Sequence, residues 1–248
     1  MLRQPPKYSL AIVRNAGVDV GSTDDDMARL DALLVTPASP WWDKFYADRA
    51  RPCPFFVTSP DESLAEWVDQ GLVRAGRAID LGCGNARNAI FLARRGFSAE
   101  GVDQSQAAID WAADCVADAH VPVSLTRQSV FDLQLAPGSY DLVYDSGCFH
   151  HIAPHRRDSY VDLVVRALKP GGFFGLSCFR PEGGSGYSDQ QVYERGSMGG
   201  GLGYTDERLR EIWSRGMDVR VLRQMHKPAA GSGLFGEEFL WVLLAQKT

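Results

Sequence analysis

The chain has no apolar stretch long enough to cross a bilayer. Its amino end, with Arg3, Pro5, Pro6 and Lys7, has no extended apolar centre of the kind a secretory leader carries. A soluble, cytoplasmic protein without a membrane partner is expected. Paired cysteines are also missing. Cys53, Cys83, Cys115, Cys148 and Cys178 are five in number and scattered, with no CxxC spacing. This argues against a disulfide framework and against a zinc site, and no metal is expected. Positive charge is short as well: 26 Lys and Arg stand against 31 Asp and Glu, a formal net charge of −5. With no basic run interleaved with aromatics, the footprint of a nucleic-acid binder is absent. The acidic run Asp24, Asp25, Asp26 reads as a solvated helix start rather than a metal site. No internal repeat marks a second folded unit. A small-molecule partner and a monomer or homodimer remain.

What is present supports a large α/β core, since 45% of the residues are hydrophobic and six are Trp. The most informative stretch is Ala78-Ile79-Asp80-Leu81-Gly82-Cys83-Gly84-Asn85-Ala86-Arg87-Asn88. An apolar run ends in an acid, turns on two glycines and continues as a helix. A second run, Ala99-Glu100-Gly101-Val102-Asp103, ends in another acid. Such a pair builds a nucleotide site at the carboxyl ends of adjacent parallel strands. Gly82 and Gly84 let the backbone approach a ligand, and Asp103 is placed to accept from ribose hydroxyls.

A third glycine is lacking. A dinucleotide fingerprint needs one where this chain has Arg87, so that pyrophosphate fits beside the helix. The loop therefore suits a ligand with ribose and adenine but no pyrophosphate. Asp80 beside the glycine turn suits a cationic amino-acid tail, and S-adenosylmethionine (SAM) meets both conditions.

Four landmarks in order carry a resemblance: residues 79–84, the acid Asp103, Ser139-Tyr140-Asp141-Leu142-Val143-Tyr144-Asp145, and Leu168-Lys169-Pro170-Gly171-Gly172. Residues 77–179 resemble the core of a class I SAM-dependent methyltransferase. The early Trp-Trp helix and Asp145-Ser146-Gly147 are loosely similar to the thiopurine and thiol methyltransferase branch. The resemblance implies a Rossmann-like α/β sandwich with a seven-stranded, mostly parallel sheet of order 3-2-1-4-5-7-6, helices on both faces and a lid. It implies SAM as cofactor, S-adenosylhomocysteine as product, and a cofactor site of Asp80, Gly82, Cys83, Gly84, Asn88, Asp103, Gln104 and Asp145. Where the family commonly has an acid contacting adenine, this chain has Ser129. The Val130 amide and the Asp132 carboxylate are the alternatives there.

The alternation of strands and helices gives strands over 77–80, 99–103, 121–126, 140–145 and 173–179, helices over 85–95 and 106–119, and a closing pair over 219–225 and 239–244. Residues 9–13 read as a short strand. Residues 1–70 are expected to form an N-terminal extension and helical cap. Residues 71–248 form the SAM-binding domain, with a glycine-rich insertion at 181–204. Ser39-Pro40 should start a short aromatic helix. Trp41, Trp42, Tyr46 and Phe56 ahead of the core, and Tyr187 and Tyr204 in the insertion, are candidate substrate-binding residues. The loop after the fourth strand, at the switch point of the sheet, is where chemistry is expected. Asp145, His150 and His151 are its candidates for orienting the substrate or removing a proton. His155, at the next helix start, reads as a surface residue.

The function expected is transfer of the SAM methyl to a nucleophilic atom of a small molecule. Alternatives are a methyltransferase-like enzyme that cyclises or cleaves SAM with release of methylthioadenosine, and a non-catalytic SAM-binding protein.

Overall fold

A computed structural model describes residues 24–34 and 38–248; the strand expected over residues 9–13 lies outside the described residues. Seven strands form one sheet in the order β3-β2-β1-β4-β5-β7-β6. They are β1 (Arg77–Leu81), β2 (Ser98–Asp103), β3 (Val123–Arg127), β4 (Tyr140–Ser146), β5 (Leu168–Phe179), β6 (Met217–Gln224) and β7 (Leu240–Lys247). β1 to β5 pair in parallel, and β7 lies antiparallel between β5 and β6. This is the Rossmann-like arrangement expected from the sequence. Parallel strands need crossovers, and helices α4 (Arg87–Arg94), α5 (Gln106–Ala119) and α6 (Arg157–Ala167) supply them. Ahead of the sheet come α1 (Asp24–Leu33), α2 (Ala38–Ala47) and α3 (Glu62–Asp69). Within or after the insertion come α7 (Asp189–Arg195) and α8 (Asp206–Trp213).

The core fills both faces of the sheet. One side gathers Phe149, Tyr160, Phe174 and Trp213; the other gathers Leu64, Trp67, Leu92 and Tyr144. Two expected helix caps are present: the Ser105 hydroxyl accepts from Ala108 N at 3.2 Å, and Thr205 Oγ1 accepts from Arg208 N at 3.3 Å. Each replaces a bond that the first turn of a helix leaves unmade.

Several boundaries differ from expectation for local reasons. α4 starts at Arg87 rather than at residue 85, because Ala86 is left-handed, with φ 61°, and extends the glycine turn. β3 starts after Val121-Pro122, since proline has no N–H for the ladder. β5 begins at Leu168, where the chain passes from helix to strand without a loop. α2 begins at Ala38, so Pro40 falls in its first turn, where a missing N–H breaks no helical bond. The insertion is more than a glycine loop. It contains α7, fixed at its start by a capping box in which Ser188 and Gln191 bond reciprocally.

Candidate active site

The site grows from the carboxyl ends of β1, β2 and β4. After Leu81 the chain turns with Gly82 at φ 71° and Gly84 at φ 54°. The amides of Gly82 and Cys83 both donate to Val102 O, at 2.8 and 2.9 Å, and tie the turn to β2. A Cβ at Gly82 would lie 2.7 Å from the Cβ of Cys148, so only glycine lets the turn sit against the loop after β4. Asp103, at the end of β2, accepts from Gly84 N at 3.0 Å and from Ser105 N at 2.9 Å. Burial raises its pKa to about 6, against the pull of those backbone donors. Its carboxylate still faces a cavity of about 880 Å³.

Asp80 sits deeper, and its Oδ1 has no hydrogen-bond partner among the described residues. Burial raises its pKa to about 8, although the Arg87 guanidinium pulls the other way. Asp80 lines a recess of about 40 Å³ with Cys83, Gly84, Asn88 and Phe56; the recess shares Tyr46, Gly82 and Ser146 with the larger cavity. A buried carboxylate oxygen with no donor is a place for a cation.

Arg87 is held rather than free. Its Nη1 pairs with Asp61 Oδ1 at 2.5 Å and donates to Ser59 O at 3.0 Å. Its Nη2 donates to Ser146 Oγ at 3.0 Å, and the guanidinium lies over the Phe235 ring. Asp61, wholly buried, also accepts from Tyr144 OH at 2.6 Å and Ser177 Oγ at 3.2 Å, while Asn88 Oδ1 accepts from Asp61 N at 2.9 Å. In the sequence Asp61 is merely an acid at a helix start. Nothing local tells that its partners lie on α4, β4 and β5.

The loop after β4 separates its candidates. Asp145 has no exposed surface. It accepts from Cys148 N at 2.8 Å, from Phe149 N at 2.9 Å and from the Tyr160 hydroxyl. Burial lifts its pKa to about 7 against those donors. Its carboxylate shapes the loop and is absent from the cavity wall. His150 also turns away from the cavity: its Nδ1 accepts from Phe179 N at 3.2 Å, and its ring stacks on Phe179 with centroids 3.7 Å apart. His151 is the one of the pair that lines the cavity. Neither of its ring nitrogens has a hydrogen-bond partner among the described residues. Burial lowers its pKa to about 4, so the ring is neutral near pH 7.

Around the cavity stand Trp41, Trp42 and Tyr46 from α2, Asp31, Ala32 and Leu34 from α1 and its end, and Ser197, Met198, Gly200 and Gly201 from the insertion. Gln104, Ser129 and Val130 line the end nearest Asp103. Ser129 Oγ also accepts from Phe131 N at 3.3 Å. Two expected substrate contacts lie elsewhere. Tyr204 is buried against Phe149, its hydroxyl accepting from Arg157 Nε at 3.0 Å. Tyr187 packs on the core beneath Arg195. His155 is not a surface residue: its ring bridges Tyr193 OH at 2.7 Å and Asp31 Oδ1 at 2.9 Å. Asp31, Leu34, Arg156 and Met198 also stand in the wall; they lie on separate segments with no motif, so no local signal points to them.

Residues 78–172 match the methyltransferase domain family. The order of the sheet around them is that of the class I SAM-dependent methyltransferase fold. A 2-heptyl-1-hydroxyquinolin-4(1H)-one methyltransferase of Mycobacteroides abscessus is 32% identical over 131 residues, covering 52% of this chain and 57% of that protein. An uncharacterized methyltransferase of Synechocystis sp. is 34% identical over 100 residues, covering 40% of this chain and 45% of that one. The chain thus spans about half the length of these curated relatives. The Burkholderia thailandensis 1,6-didemethyltoxoflavin-N1-methyltransferase, solved with 1,6-didemethyltoxoflavin and S-adenosylhomocysteine bound, shares the fold over 93% of each chain, with a TM-score of 0.64 and 18% identity. SAM is the cofactor of such a methyltransferase domain, and the residues here fit it. The buried Asp80 Oδ1 has no donor among the described residues, and the turn beside it is bare of side chains at Gly82 and Gly84, where a Cβ would be crowded; both suit a ligand with a cationic tail.

Proposed function

We propose that this protein transfers the methyl group of SAM to a small-molecule acceptor held in the cavity between α1, α2 and the insertion. The observation that carries this reading is that one cavity runs from Asp103, at the nucleoside end, to His151 and the Trp41–Trp42 pair. The name of the Mycobacteroides relative, which acts on a small heterocycle, supports the same substrate size.

When bound, SAM supplies a methyl group already activated on a sulfonium. The protein's work is therefore mostly to position. Asp80 holds the ammonium in the recess, and Asp103 accepts from the ribose hydroxyls. The Val130 backbone and Ser129 border the adenine. Gly82 keeps the turn close against Cys148 and so fixes how far the tail enters. His151, neutral and unpartnered, receives a proton from the acceptor as the new bond forms. His150 and Asp145 support it from behind: Asp145 fixes the turn at Cys148-Phe149, and His150 anchors that turn to the end of β5. Helices α1 and α2, with residues 196–201, form the cap that excludes water.

The test is incubation of the purified protein with SAM, with and without a panel of small acceptors, followed by mass spectrometry. S-adenosylhomocysteine formed only in the presence of an acceptor supports methyl transfer. Methylthioadenosine formed without any acceptor overturns it in favour of SAM cleavage or cyclisation.

A further inference from the structure

Around His151 the cavity wall carries rings. Trp41 and Trp42 meet edge to face with centroids 4.6 Å apart, and Trp42 meets His151 in the same way at 4.7 Å and 80°. Leu34, Ile152 and Met198 complete an apolar wall. Of the charged groups on the wall, Arg156 is already matched, and the remaining carboxylate, Asp132, belongs to the turn that carries Ser129 and Val130. Arg156 is paired with Asp31 and lies over the Phe131 ring, and Asp31 also takes the His155 ring at 2.9 Å. A charged group placed beside Trp42 and His151 would give up water without meeting an opposite charge on those rings.

We propose that the acceptor is a neutral, planar aromatic compound methylated on a ring hydroxyl, with its ring laid against Trp42 and its hydroxyl facing His151. This deepens the methyl-transfer reading above and rests on it. Aromatic rings pair well with indole faces. A flat ring parallel to Trp42 turns its edge, where a hydroxyl is borne, toward the imidazole. The ring hydroxyl is uncharged on arrival, whereas aliphatic amines and carboxylic acids arrive ionised near pH 7. It is also acidic enough for a weak base to take its proton during bond formation. In the transfer, a lone pair of the hydroxyl oxygen forms the new O–CH3 bond while the S–CH3 pair stays on sulfur, which becomes a neutral thioether. The hydroxyl proton passes to a ring nitrogen of His151 and from there to solvent.

The test uses the full chain with SAM and five probes: 1-naphthol, cyclohexanol, 1-naphthoate, n-butylamine and 2-mercaptoethanol. Product and S-adenosylhomocysteine are quantified by mass spectrometry. The expected result is O-methylation of 1-naphthol with kcat/KM at least about tenfold above each other probe. Trp42→Ala should raise the KM for 1-naphthol about tenfold, and Trp42→Phe should restore most of the loss, because the ring face is what is used. Affinity for S-adenosylhomocysteine, measured by calorimetry, should stay within about twofold in both variants. Preference for the amine, the carboxylate or the thiol overturns the proposal, as does an unchanged KM in Trp42→Ala. If the protein binds SAM but neither binds nor methylates 1-naphthol, this inference alone fails. If it binds neither SAM nor S-adenosylhomocysteine, the methyl-transfer reading fails with it.

Discussion

At the scale of single residues, the two histidines of the β4 loop are chemically alike in the sequence and opposite in the structure. His151→Gln should lower kcat by about 10²-fold or more, as for loss of a positioned general base, with little change in S-adenosylhomocysteine affinity by calorimetry. His150→Phe should act on the fold instead. It keeps the stack on Phe179 but leaves the Phe179 N–H without its acceptor, a loss of about 1–3 kcal/mol readable in denaturant unfolding. If His150→Phe abolishes turnover in a fully folded protein and His151→Gln does not, the assignment of roles is reversed. Asp61 is the other residue whose importance is tertiary. Asp61→Ala strands the Arg87 guanidinium, which is only 7% exposed, and should destabilise the protein by about 3–5 kcal/mol. The same substitution at Asp69, whose partner Arg95 is well exposed, should change stability by less than about 1 kcal/mol.

At the scale of elements, α1 is joined to the sheet domain by a small polar contact. Asp31, near the end of α1, reaches His155 and Arg156 at the start of α6, and His155 Nδ1 meets Tyr193 OH of α7. One residue thus couples two segments that line the cavity. Asp31→Ala should speed amide hydrogen exchange over residues 24–34 and 189–201 and raise the KM for the acceptor several-fold. Exchange in β1, β4 and β5 should stay as it was. Unchanged exchange in α1 would show that packing, not this contact, holds the helix down. Tight turns behave differently. Gly82→Ala meets both the positive φ and the Cys148 side chain, so it should cut SAM affinity sharply even where the fold survives.

At the scale of the whole molecule, buried carboxylates gather under the cofactor site: Asp61, Asp80, Asp103 and Asp145 are each no more than 7% exposed. Burial raises Asp80 to about 8 and Asp145 to about 7, from an ordinary value of 3.8. The folded protein therefore holds protons that the unfolded chain releases. Stability from these groups is fully present below about pH 4 and is lost as pH rises through about 7 to 8. Unfolding of the ligand-free protein should accordingly become easier from about pH 4 to about pH 8 and change little above that. Asp80→Asn should remove part of that slope and raise Tm at pH 9 while weakening SAM binding, because the orphan oxygen is useful only with a cation beside it. S-adenosylhomocysteine at about 100 times its Kd should stabilise the wild type by about 2.7 kcal/mol through mass action. A flat pH profile, or an Asp80→Asn variant that binds as tightly as the wild type, would remove Asp80 from the ammonium site.

The order of strands, the glycine turn and the acid closing β2 were legible because each is written locally. Alternating runs of apolar residues set the parallel sheet, Gly82 and Gly84 set a turn that few other residues permit, and Asp103 ends the run that becomes β2. Helix caps at Ser105 and Thr205 were legible for the same reason, since a cap bonds within three residues of itself. What only the tertiary structure decided is which polar groups share a space. His150 and His151 differ by which one meets the end of β5, and Asp61 becomes a buried hub only when α3 packs against α4 and the sheet. Tyr204 leaves the pocket because Arg157 and Phe149 hold it. Local propensity reaches a few residues along the chain, whereas burial, pKa and access to the cavity are set by neighbours brought together from distant segments. The sequence by itself therefore determined the scaffold and the glycine turn with Asp103 beside it, and folding decided which other groups line the cavity.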